Sequence, residues 1–90
     1  RRDYDSYAVK RHLPGITLDQ LTEAQKNVIA TSKTMTEDGT PINYIRSNFY
    51  PSDSSCTCLF EAENVETVAA LNETAEVPYA EIIEVLDLVP

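Results

Sequence analysis

Residues 42–62 read INYIRSNFY, then PSDSS, then CTCLFEA. Two runs rich in β-branched and aromatic side chains flank a short break of Pro, Ser and Asp. Such side chains suit a pleated surface and the break supplies turn residues, so the stretch reads as a β-hairpin with strands over 42–50 and 56–61. A lone hairpin is not stable in water. Each flank must therefore add an element that covers its apolar face or extends its edge.

The upstream flank supplies both. Tyr7, Val9 and Arg11 alternate with Ala8, Lys10 and His12, a period of two that predicts a strand over 4–11. Leu13-Pro14-Gly15 ends it, because proline has no amide donor for the ladder. Thr17 and Gln20 have the spacing of a capping box. Leu18, Leu21, Ala24, Val28 and Met35 then recur on one face of a helix of about 18 residues, with Gly39 able to take a left-handed closing conformation. Downstream, Asn64 is a candidate cap and Glu66 lies near the positive end of a second helix. Val65, Val68, Ala69 and Asn72 would form its inner face, Pro78 ends it, and residues 81–88 read as the last strand. The order β-α-β-β-α-β in one domain, 1–90, predicts an α+β, ferredoxin-like fold: a four-stranded antiparallel sheet with two helices on one face.

Strict alternation puts Ile45 and Phe49 on one face of the second strand and Ile42, Tyr44 and Tyr50 on the other. In the third, Cys56, Cys58 and Phe60 oppose Thr57 and Leu59. In the fourth, Ile82, Leu86 and Leu88 oppose Ile83, Val85 and Val89. Both sheet faces are thus apolar, and the helices cover only one. A second copy is the simplest cover, so a homodimer with two facing sheets, a barrel-like α/β assembly, is expected. Ninety residues also make a marginal core, since a chain this short buries only about 60% of its unfolded surface.

The net charge of −8 is unevenly placed: all seven Lys and Arg lie within residues 1–46, and residues 47–90 hold nine acids and no base. An acidic surface repels phosphate backbones, which argues against nucleic acid as a partner. No apolar run approaches the ~18–20 residues that span a bilayer, and no signal peptide is visible. Cys56 and Cys58, next-but-one neighbours in a strand, have Cα atoms about 6.5–7 Å apart and cannot pair with each other. Reduced thiols suggest a cytoplasmic protein.

Few residues carry chemistry. His12 is the single histidine, either a surface side chain or a general base or metal ligand. Cys56 and Cys58 are either small core residues or two soft ligands, needing further donors for a closed zinc site. Arg46 is the last cation in the chain, set among aromatics. It reads either as a buried ion pair with Glu61 or Glu84, or as an anchor for a ligand's carboxylate or phosphate, with Tyr44 beside it on the same face. The candidate ligand-binding set is therefore Tyr44, Arg46, Glu61 and Glu84, and the candidate metal set His12, Cys56 and Cys58. No glycine-rich phosphate loop, nucleophile elbow or His-Glu-x-x-His motif occurs.

The runs VKRHLPGIT (9–17), YIRS (44–47), CTCLFEA (56–62) and VPYAEIIEV (77–85) resemble, in order and spacing, a family of small bacterial ferredoxin-like proteins. That family is a domain of unknown function that includes an actinobacterial nickel-binding protein. The resemblance spans residues 7–88 and implies the same fold, a dimer, and a divalent metal such as nickel. The nickel-binding branch is rich in histidine, of which this chain supplies His12 alone. Three functions follow as expectations: a non-enzymatic homodimer binding a metal or a small acidic or aromatic ligand; a cofactor-free enzyme, such as a small monooxygenase or isomerase, using His12 or Tyr44 with Arg46 to move a proton; or a regulatory dimer whose acidic half meets a protein partner.

Overall fold

A computed structural model describes residues 4–86, 88 and 90. The elements follow as β1 (Asp5–His12), α1 (Leu18–Glu37), β2 (Ile42–Tyr50), β3 (Ser55–Ala62), α2 (Val65–Ala75) and β4 (Glu81–Val85). They build the expected β-α-β-β-α-β fold, an antiparallel sheet in the order β2-β3-β1-β4. No described helix is long and apolar enough to cross a membrane.

Local chemistry sets the helix ends. The capping box of α1 is complete: Gln20 N donates to Thr17 Oγ1 at 3.1 Å and Thr17 N to Gln20 Oε1 at 3.0 Å. After its last turn Gly39 adopts φ +98°, which a side chain would resist. In α2, Asn64 Oδ1 accepts from Thr67 N at 2.9 Å. This helix stops before Pro78, at Glu76, which takes the left-handed conformation at φ 59°.

The core lies between the helices and one sheet face. Val9, Phe60, Val68, Leu71 and Asn72 are fully buried there. Each large apolar side chain so buried contributes about 1.5–3 kcal/mol. Val28 anchors α1 in the same cluster. Two inner-face expectations fail. Leu18 and Val65 each sit in the first turn of a helix, beyond the edge of the packed face, and are exposed, while Leu71 and Ala75 complete the face of α2.

Strict alternation breaks in β2. Tyr44 pairs with Phe60, but Arg46 pairs with Leu59, so Ile45 is an extra residue: a β-bulge. Before it, Ile42 and Tyr44 share the helix face with Ala62 and Phe60; after it, Ser47 and Phe49 share that face with Cys58 and Cys56. Phe49 thus joins Ile42 and Tyr44, whereas Tyr50 lies opposite, with Arg46 and Asn48. The expected grouping of Ile45 with Phe49 and of Tyr44 with Arg46 is corrected by this one residue.

The outer face carries Ala8 and Leu59 on its two inner strands and Ile83 and Val85 on the edge strand β4, and no described element covers it. Polar groups rim it, among them Lys10, Arg46, Asn48, Thr57 and Glu81. β4 is shorter than expected: Leu86 and Leu88 follow its end and are exposed, and Val89 lies outside the described residues.

Candidate functional site

The bulge decides which side chains meet. Tyr44 points under α1, its ring edge-on to Phe60 with centroids 5.6 Å apart. Arg46 is exposed on the outer face and makes no ion pair among the described residues. Glu61 also lies on the outer face, where its Oε1 accepts from Asn43 Nδ2 at 3.4 Å. Glu84 pairs with Tyr7 on β4, so it and Arg46 sit at opposite edges of the sheet and on opposite faces. Neither expected partner of Arg46 reaches it, because a half-exposed edge leaves the guanidinium in water. His12 pairs with Ser55 on the outer face, and the thiols face the helices. The expected metal set is thereby divided by the sheet.

What gathers instead is a polar chain beneath α1, running from the exposed Gln25 to the buried Cys58. Gln25 Nε2 donates to Tyr44 Oη at 2.9 Å. Tyr44 Oη and Ser47 Oγ lie 2.6 Å apart, and Ser47 Oγ donates to Cys58 Sγ at 3.0 Å. Since Ser47 gives its proton to sulfur, Tyr44 gives its own to Ser47. Cys56 Sγ lies 4.0 Å from Cys58 Sγ. Arg11 pairs with Cys56 on the same face and is only 3% exposed. Its Nη1 donates to Pro78 O at 3.2 Å and to Val77 O at 3.5 Å, and its Nη2 has no partner.

The hydroxyl chain and the Cys56 thiol both lead to Cys58. The hydrogen bond from Cys56 holds the Cys58 thiol well below its usual range, helped by the Arg11 charge and by Ser47, against the cost of burial. Cys56, as the donor, is pushed up. The site is therefore a pair of thiols, Cys58 the more readily ionised, sharing a compartment with a guanidinium. It opens into a cavity of about 160 Å³ between α1 and the sheet, lined by Arg11, Leu21, Tyr44, Ser47, Phe49 and Cys56. A wider surface groove of about 620 Å³ beside Lys33, Glu37 and Asn43 brings no thiol.

Sequence reasoning passed over Arg11, Ser47 and Gln25. The signal for Arg11 was present, since alternation aligns it with the core residues Tyr7 and Val9. Ser47 carried none, because only the bulge turns it inward. Gln25 is four residues beyond Leu21 and three before Val28, so helical spacing places it beside that face.

Residues 7–85 match the family model described as nickel responsive protein SCO4226-like. The fold is similar to the crystal structure of SCO4226 from Streptomyces coelicolor A3(2), with a TM-score of 0.78 and 25% sequence identity over 93% of this chain and 99% of that one. No curated protein matches the chain.

Proposed function

Because the chain belongs to the SCO4226-like nickel responsive protein family, we propose that it is a small non-catalytic metal-binding protein, acting as a homodimer, whose donor atoms are the Cys56 and Cys58 sulfurs. One observation carries this reading: two buried sulfurs, 4.0 Å apart, share a face and a compartment. With metal–thiolate bonds of about 2.3 Å, one ion can reach both. Nickel itself fits poorly. No three His, Cys, Asp or Glu side chains cluster among the described residues, and the lone histidine faces away. The apolar face around Ala8, Leu59, Ile83 and Val85, which no described element covers, supports the homodimer.

Native mass spectrometry of the reduced protein tests both parts. A dimer should gain one metal ion per chain, lose it in Cys56→Ser and Cys58→Ser, and keep it in His12→Ala. Loss on His12→Ala alone would move the site to the outer face and sink the reading.

A second reading rests on the unpartnered Arg11 Nη2 at a mainly apolar cavity. A buried guanidinium favours a carboxylate, so a small acidic or aromatic ligand would seat there. Benzoate or octanoate should then raise Tm in the native protein and not in Arg11→Met. The enzymatic alternative finds less support: Tyr44 and Arg46 occupy opposite sheet faces, and His12 lies across the sheet from the cavity.

A further inference from the structure

We infer that the Cys56–Cys58 pair is built for a soft monovalent ion, copper(I) or its analogue silver(I), and that Arg11 is the residue that selects it over divalent nickel or zinc. The inference rests on the metal-binding reading above and concerns which ion that site takes. Three observations carry it.

The first is ligand count. Two sulfurs are the only strong donors in the compartment, and no third His, Cys, Asp or Glu joins them among the described residues. Zinc needs about four ligands in a closed site. Thiolate pairs suit copper(I), which soft sulfur ligands select.

The second is geometry. Sulfurs 4.0 Å apart, with metal–sulfur bonds of about 2.3 Å, open an S–metal–S angle of about 120°. That exceeds the tetrahedral angle of a closed zinc site, and it widens to the linear arrangement of a two-coordinate ion if the sulfurs part by about 0.6 Å. The neighbouring oxygens, Ser47 Oγ and Tyr44 Oη, already hydrogen-bond one another.

The third is charge. Two metal-bound thiolates bring two negative charges, and Arg11, buried on the same face, brings one positive. A monovalent ion makes the buried unit neutral. A divalent ion leaves one uncompensated positive charge in a dry site, where an unpaired charge is strongly disfavoured. Nη1 of Arg11 is committed to the Val77 and Pro78 carbonyls, but its Nη2 has no protein partner. Binding changes no oxidation state: the ion enters and the thiol hydrogens leave as protons. Entry is through the cavity that Cys56 and Arg11 line beneath the exposed Leu18 end of α1.

The test is an anaerobic competition on the full chain. The metal-free reduced protein is titrated with copper(I) held by a chromophoric chelator, in parallel with nickel(II) and zinc(II), and read by chelator colour and bound mass. Copper(I) should saturate at one ion per chain in the presence of equimolar nickel, and either cysteine-to-serine substitution should abolish the binding. Arg11→Met should shift preference from copper(I) toward zinc, and Arg11→Lys should restore it; far-UV circular dichroism establishes that each variant is folded. If zinc or nickel displaces copper(I) from the native thiols, selection of the monovalent ion is wrong while thiol-based metal binding stands. If no ion binds the thiols, both fail. If Arg11→Met leaves the preference unchanged, the charge account is overturned.

Discussion

Cys58 is the residue on which the chemistry of this chain turns, and its state has measurable consequences. In the fold it accepts from Ser47 and Cys56 with Arg11 alongside, and its ionisation is favoured relative to the unfolded chain. A thiol whose folded pKa is depressed contributes stability above its unfolded pKa, about 8.5, and loses it as pH falls through the depressed value. Between those limits the unfolded chain binds the extra proton, so stability should rise with pH from mild acid to about 8.5. Above that, Cys56, pushed in the opposite direction, reverses the slope. Urea unfolding at several pH values checks this. The acid-side slope should vanish in Cys58→Ser. Cys56→Ala removes a donor, and thiolate absorbance of the remaining cysteine should then titrate closer to the ordinary thiol range. An unchanged midpoint in Cys56→Ala would mean that the sulfur–sulfur contact does not hold the thiolate.

At the scale of an element, β2 carries the main lesson. Its existence and length are legible in a run of β-branched and aromatic residues, as are both helices, whose caps at Thr17 and Asn64 have the expected side-chain bonds. The site was only half legible. The pairing of the two thiols on one face follows from a period of two, but the bulge at Ile45 leaves no mark in composition or spacing. It reverses the side of every later residue in β2, so Arg46 goes out and Ser47 comes in. The outward Arg46 gives a clean test. A buried, paired arginine would cost about 3–5 kcal/mol on breaking the pair, whereas an exposed, unpaired one changes stability by less than about 0.5 kcal/mol. Arg46→Ala should fall in the second class by denaturant unfolding. The end of α2 offers the opposite case. Glu76 pays for its left-handed backbone at φ 59°, so Glu76→Gly should raise stability by up to about 1 kcal/mol, read as a higher denaturant midpoint at constant m.

The whole molecule poses a problem of covering. Both helices lie on one face of the sheet, and with them lie the thiols, Arg11 and nearly all the fully buried side chains. The opposite face keeps Leu59, Ile83 and Val85 around the buried Ala8, and Ile83 is 40% exposed. A chain of this size buries too little surface to leave such a face uncovered without loss. A two-fold pairing of sheets would bury the same residues from both copies, since a closed symmetric interface uses one patch twice. Such a dimer links folding to concentration, because association stabilises only the native state. Light scattering should give twice the chain mass, with Tm rising as protein concentration rises. Ile83→Lys places a charge within the proposed contact and should yield monomer mass, with far-UV circular dichroism unchanged and Tm no longer dependent on concentration. Metal binding at Cys56 and Cys58, on the other side of the sheet, should persist in that monomer, because every residue of the site belongs to one chain. A variant that stays dimeric would place the interface elsewhere, and one that loses both association and metal would show that the two sheet faces are coupled through β3.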